Sequence, residues 1–176
     1  VTGGAGTGKS TMIRWLLEQY DGKVLLTAPT GIAAINIDGK TIHSLCQLPP
    51  GWILPDDIKR NFRRSELRKA KVLIIDEISM VNPNVLDAVD LFFQENRFNH
   101  EPFGGLAVIM IGDLFQLPAI MDNRCKHLFA EEYRGSTKFY SANCMQDGYY
   151  LVELNKVFRQ KDEVFIDVLA NLREGN

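Results

Sequence analysis

The chain has 176 residues, the length of about one domain. With 45% apolar and 24% charged residues it has the make-up of a globule with a packed core, which excludes a disordered or fibrous chain. The net charge of −2 selects no partner, and the longest apolar run, Leu106 to Ile111, is far short of the ~20 residues a spanning helix needs. Cys46, Cys125 and Cys144 form no CxxC pair, so neither a disulfide framework nor a zinc cluster is expected, and free thiols in a reducing compartment fit best.

In chain order, Val1-Thr2-Gly3 reads as the tail of a strand, and with no initiator Met the chain reads as an excised piece. Gly3-Gly4-Ala5-Gly6-Thr7-Gly8-Lys9-Ser10 then fits G-x-x-x-x-G-K-[ST]. Its glycines let backbone N–H groups turn inward on phosphate oxygens, and a helix starting near Lys9 aims its positive end at them. Gly4 to Thr11 form the expected cradle, with Lys9 reaching the β- and γ-phosphates and Ser10 holding Mg²⁺. A dinucleotide fingerprint fits less well, because the next strand ends in Thr27-Ala28-Pro29 with no acid for a ribose.

Met12, Ile13, Leu16, Leu17 and Tyr20 recur at helical spacing, and Asp21-Gly22 ends that run. Near-continuous apolar runs at Val24–Thr27, Val72–Asp76, Leu106–Ile111 and Tyr149–Leu154 predict parallel strands covered on both faces. Asn82 before Pro83 is a cap and a first-turn proline, opening a helix with Val85, Leu86, Val89, Phe92 and Phe93 on one stripe. A last helix is predicted around Val164, Phe165, Val168, Leu169 and Leu172, stopped near Gly175. Leu48–Pro55 is loop, and Met121 to Gly148 is loop with one or two short helices. Strand–helix alternation with no repeat or linker means one α/β domain over residues 1–176, built on a mostly parallel sheet flanked by helices.

A phosphate loop needs an acid to manage its metal. Val72-Leu73-Ile74-Ile75-Asp76-Glu77 supplies one: Asp76 would hold Mg²⁺ through its water shell and Glu77 would polarise the attacking water. In an open parallel sheet the carboxyl ends of neighbouring strands share one crevice. Gln116, in Gly112-Asp113-Leu114-Phe115-Gln116-Leu117-Pro118, is thereby placed to sense the γ-phosphate or the water. Arg159, after the last strand, could neutralise charge on the moving phosphoryl group, against an ordinary surface arginine as the alternative.

The turn Thr27 to Gly31 offers N–H groups and the Thr30 hydroxyl to an anion. Trp52 and Phe62 could stack on bases or simply pack, and Cys125-Lys126-His127 reads as structural. Between Lys59 and Lys71, seven basic residues stand against one acid, which makes that segment +6 and the rest of the chain −8. Such a cluster either contacts phosphates or forms a solvated helix face.

Together these blocks resemble the Pif-type and RecD-like DNA helicases of superfamily one. GGAGTGKS looks like motif I, Thr27 to Ser44 like motif Ia, Val72 to Val81 like motif II, Gly112 to Pro118 like motif III, and Leu154 to Gln160 like motif IV. The resemblance implies a RecA-like first motor domain that binds ATP and Mg²⁺, moves 5′-to-3′ on single-stranded DNA, and unwinds duplex or forked DNA. It puts Gly8, Lys9, Ser10, Asp76, Glu77, Gln116 and Arg159 in the ATP site, and Pro29, Thr30, Gly31 and His43 on DNA. It also implies a second motor domain of the same chain, whose motifs V and VI are not in these residues, so that this piece alone should turn ATP over poorly. No membrane contact is expected. The implied location is wherever DNA is: a bacterial cytoplasm, or a nucleus or mitochondrion.

The family motif III usually continues with a second proline where this chain has Ala119. Two rival classes are an AAA-like P-loop ATPase acting on a protein partner, and a nucleic-acid-binding module without catalysis. The first would favour an Asn or Thr sensor where Asp113 and Gln116 stand. The second gives no reason to keep Lys9, Asp76 and Glu77 together.

Overall fold

A computed structural model describes residues 1–61, 64–116, 118–146 and 148–158. Along these residues run β1 (Thr2–Gly3), α1 (Lys9–Tyr20), β2 (Val24–Ala28), α2 (Gly31–Asn36), β3 (Lys40–Thr41), α3 (Ile42–Cys46), α4 (Ser65–Lys69), β4 (Val72–Ile75), α5 (Pro83–Arg97), β5 (Ala107–Met110), α6 (Lys126–Tyr133) and β6 (Glu153–Leu154). Every strand pairing among them is parallel. Four strands run in the order β3-β2-β4-β5, β1 pairs with β6, and a bridge from Thr2 to Gly112 sets β1 beside the end of β5. Read across, the order is β3-β2-β4-β5-β1-β6.

The apolar runs explain the layers. All four residues of β4 are buried, because helices cover the sheet on both sides. Ile13 and Leu16 of α1, with Ala34 of α2, pack against Ala28, Val72, Ile74 and Ile111 on one face. Leu73 and Ile75 turn to the other face, against Ile42 and Leu45 of α3, Leu67 of α4, and Leu86, Val89, Phe92 and Phe93 of α5. Burying a large aliphatic or aromatic side chain contributes about 1.5–3 kcal/mol, so this α5 stripe is a main anchor of the domain.

Helix ends follow their local chemistry. The Asn82 side chain accepts the Val85 N–H at 2.9 Å with Pro83 in the first turn. α1 stops where Asp21 and Gly22 both turn left-handed. Between α5 and β5, Arg97 donates through Nε to Gly104 O at 2.7 Å and through Nη1 to Ala70 O at 3.1 Å and to Leu67 O, tying three segments together.

Two strands differ from the sequence reading. Of the run Tyr149–Leu154 only Glu153–Leu154 pairs, because β1 offers just Thr2 and Gly3 before the glycine turn leads the chain away. Tyr149 to Val152 are exposed instead. β3 is polar and two residues long, below what apolar periodicity can reveal. The helix predicted around Val164 to Leu172 lies outside the described residues.

Among its described residues, the basic segment is helical over Ser65–Lys69. Arg60 pairs with Glu95, and Arg64 bonds Glu66 at 2.9 Å and the Leu45 carbonyl at 2.5 Å, so two of its cations are engaged within the domain. Arg63 lies outside the described residues.

Candidate active site

The glycine octet opens α1 as its spacing demands. Gly6 and Gly8 take φ of 78° and 96°, values an L side chain rarely adopts, and Gly8 leads directly into the first helical turn. Thr7 Oγ1 donates to Gly4 O at 2.9 Å and braces the loop from within. Lys9 Nζ donates to Gly3 O at 2.7 Å and Gly4 O at 2.9 Å, so its ammonium lies across the loop mouth. Ser10 and Thr11 follow it, exposed, in the first turn of α1. A Cβ on Gly3 would stand 2.7 Å from Thr7 Oγ1 and 2.8 Å from Leu154 O, which explains a glycine where β1 meets β6.

Asp76 follows the carboxyl end of β4, its N–H bonded to Thr27 O at 2.9 Å. Glu77 then turns left-handed, φ 50°, and starts a short 3-10 turn over Ile78–Met80. Burial raises the Asp76 carboxyl above its ordinary range, opposed by a bond from the Glu77 backbone and by the Lys9 charge. Glu77 is raised too, first by burial and then by the Asp76 charge; Asp113 adds to this, and Lys9 opposes it. Three carboxylates and one ammonium therefore share an electrostatic neighbourhood, although their elements are far apart in sequence.

β5 lies between β4 and β1, so its carboxyl end falls between the acids and the glycine loop. Asp113 there is buried and takes the Phe115 N–H on Oδ1 at 3.1 Å. The Asp113 carbonyl accepts the Gln116 N–H at 3.1 Å, which holds Gln116 exposed at the crevice edge. A Cβ on Gly112 would come within 3.0 Å of Ile78 Cγ2, so glycine lets the β5 end lie close against the turn after Glu77.

Past β6, the Phe158 N–H donates to Gly6 O at 2.9 Å, which carries the chain after the last strand onto the glycine loop. This contact is not legible from residue spacing. Arg159, the next residue, lies outside the described residues.

The other candidate residues stand at the ends of β2 and β3, on the same edge of the sheet. Thr30 caps α2 by accepting the Ala33 N–H at 3.2 Å, between Pro29 and the exposed Gly31. Ala28 is in register with Thr41, whose hydroxyl caps α3 by accepting the Ser44 N–H at 3.2 Å and so places His43 in the first turn. His43 is half-buried, and burial holds its pKa below the usual value. Thus Pro29, Thr30, Gly31 and His43 cluster beyond β4, on the far side of the acids from the glycine loop.

Trp52 packs on Phe129 at 5.2 Å and on Tyr133 at 6.0 Å, which makes it part of the α6 packing rather than a base platform. Phe62 lies outside the described residues. Cys125 and His127 begin α6 with no group of three metal-ligating side chains among the described residues. No described helix is long and apolar enough to cross a membrane.

The whole chain, residues 1–176, matches a family model described as PIF1-like helicase. The ATP-dependent DNA helicase PIF1 of Saccharomyces cerevisiae is 38% identical over 188 residues, covering 99% of this chain and 21% of that protein. A Pif1 helicase from Bacteroides, solved with ADP-AlF3 and ssDNA, superposes with a TM-score of 0.90 at 43% identity, covering 98% of this chain and 41% of that one. A structure of two coordinating Pif1 helicases on forked dsDNA gives a TM-score of 0.90 at 42% identity, covering 98% of this chain and 43% of that one. This chain spans about a fifth to a quarter of the length of yeast PIF1, Candida albicans PIF1 and yeast RRM3. The sheet order, the glycine loop and these likenesses agree on a RecA-like P-loop fold. The chain belongs to the PIF1-like helicase family.

Proposed function

We propose that residues 1–176 form the ATP-binding motor domain of a helicase that moves on single-stranded DNA, 5′-to-3′, and unwinds duplex or forked DNA. The observation that carries this reading is the convergence of three strand ends. β1 brings Lys9, β4 brings Asp76 and Glu77, and β5 brings Asp113 and Gln116 to one edge, while β2 and β3 bring Thr30 and His43 to the same edge further along.

Lys9 binds the β- and γ-phosphates together with the N–H groups of Gly4 to Thr11. Glu77 accepts a proton from the attacking water; its raised proton affinity makes it a better base than an ordinary carboxylate. Water oxygen bonds to the γ-phosphorus as the bond to the bridging β–γ oxygen breaks, leaving ADP and phosphate. Gln116 orients the water, and Arg159 offsets charge on the transferred group. The Ser10 hydroxyl and the Asp76 carboxylate are oxygen donors of the kind Mg²⁺ prefers, and Mg²⁺ bound there supplies charge neutralisation on the phosphates. Thr30 and its neighbours hold the DNA backbone by hydroxyl and N–H donors, with His43 beside them.

A second motor domain of the same chain completes the site. A transition-state arginine from it would add roughly 10³–10⁵ in rate, so residues 1–176 alone should bind nucleotide and turn it over slowly. The test is a strand-displacement assay of the full-length protein on partial duplexes with 5′ or 3′ tails, with ATPase measured with and without single-stranded DNA. Unwinding from the 5′ tail only, with stimulated ATPase, is expected. Unwinding from the 3′ tail alone overturns the direction, and an ATPase indifferent to DNA overturns the motor reading.

A further inference from the structure

The ATP and DNA candidates occupy the carboxyl-end edge of the sheet, yet a group of exposed lysines lies at the opposite edge. Lys23 and Lys71 precede β2 and β4, which run side by side with Val24 in register with Val72. Their backbones are bonded, Lys71 N–H to Lys23 O at 2.8 Å, and both residues are exposed. Like charges on adjacent strands repel, so this pairing costs stability in the isolated domain. Lys69 is exposed in the last turn of α4 just before them.

The neighbouring cations add to the cluster. Arg97 holds α4 through the Leu67 and Ala70 carbonyls, so its hydrogen bonds leave its positive charge in place. Asn96, beside it, donates to the Lys59 carbonyl at 3.1 Å and brings exposed Lys59 to the same end of α5. None of Lys23, Lys59, Lys69, Lys71 and Arg97 forms an ion pair among the described residues. Glu95 and Glu66 are engaged by Arg60 and Arg64, and Asp21 stands two residues before Lys23.

We infer that this amino-end patch, centred on Lys23, Lys69 and Lys71, is a second nucleic-acid contact that takes the phosphate backbone of a duplex DNA arm. Duplex DNA carries one negative charge per about 1.7 Å of axis, a density that suits several lysines grouped on one surface and exceeds that of a single strand. The separation of the edges supports this. β2 and β4 are 5 and 4 residues long, so at about 3.3 Å per residue the patch lies on the order of 15 Å from the edge that carries Thr30 and His43. The gripped strand and the arm would thus meet different surfaces of one domain. The proposal rests on the helicase reading, and it adds a site to that reading without altering its chemistry.

The test compares the full-length protein with a Lys23→Ala/Lys69→Ala/Lys71→Ala variant, in binding titrations across a salt series. One DNA is a short single strand, the other the same strand carrying a duplex arm. Each phosphate contact contributes about 0.9 to the slope of log affinity against log salt on duplex DNA. On the armed substrate the slope should therefore fall by about two to three, while single-strand affinity and strand-stimulated ATPase stay unchanged. Equal slopes for the two proteins on the armed substrate overturn the proposal. Equal losses on both substrates also overturn it, by making the patch part of the single-strand track. If the unsubstituted protein shows no strand-stimulated ATPase, it is the helicase reading that fails.

Discussion

The Phe158 N–H meets the Gly6 carbonyl at 2.9 Å, a bond between residues 152 positions apart that seats the segment after β6 on the phosphate loop. The described stretch up to Phe158 and the glycine loop are thereby one structural unit. A Phe158→Pro substitution removes that donor and should raise the KM for ATP in steady-state assays. Phe158→Leu keeps the N–H and should behave as the parent.

Lys9→Ala removes the ammonium from the loop mouth and should abolish ATP hydrolysis in the full-length protein, as measured by phosphate release. Glu77→Gln should bind a fluorescent ATP analogue as tightly as the parent while turnover falls by about 10²–10⁴, the usual contribution of a general base. Turnover at the parental rate by Glu77→Gln would remove Glu77 from that role.

Burial raises both Glu77 and Asp76 above ordinary carboxylates, and the Asp76 charge raises Glu77 further. A base must be deprotonated to act, so kcat should fall with acidification at a pH above the ordinary glutamate range. The sign for stability is the reverse. A carboxyl whose pKa is raised on folding stabilises the fold below its unfolded value and loses that contribution as pH rises through its folded value. Glu77→Gln should therefore raise Tm at neutral pH, and the gain should vanish in acid. A Tm gain that grows as pH falls would contradict the raised pKa.

Asn84 is buried and forms a two-way clasp with Ile53, Oδ1 accepting the N–H at 2.9 Å and Nδ2 donating to the carbonyl at 2.9 Å. Asn84→Leu leaves two buried backbone groups unpaired at about 1–3 kcal/mol each. Urea unfolding should show a loss of that size with nucleotide affinity retained, since the clasp joins α5 to the loop before α3's neighbour α4 and not to the crevice.

Thr30→Ala tests the DNA edge. Losing the cap on α2 costs about 1 kcal/mol of stability, whereas loss of a DNA donor appears as weaker single-strand binding. Thr30→Ser keeps the cap oxygen and should restore both, as read by melting and by anisotropy of a labelled oligonucleotide.

The fold is most legible in the sequence where local rules decide. The runs Val24–Thr27 and Val72–Asp76 match β2 and β4 to within a residue, because a strand buried on both faces is apolar throughout. The cap at Asn82 and the stop at Asp21-Gly22 are equally local. What stayed hidden depends on partners distant in sequence. The Asp113 charge reaches Glu77 only because β5 lies beside β4, and Arg60 is engaged by a glutamate 35 positions away. Charge counting along the chain does not separate Arg60 and Arg64, which pair with Glu95 and Glu66, from Lys69 and Lys71, which form no ion pair among the described residues. The packing of Trp52 is hidden for the same reason: its partners, Phe129 and Tyr133, arrive with α6.

The insertion of β5 between β4 and β1 gives the crevice a fixed gauge. Two inter-strand steps of about 4.8 Å separate the acid-bearing strand end from the lysine-bearing one. On the proposed reading, that gap is where the terminal phosphate of a nucleotide held by Lys9 would face Glu77.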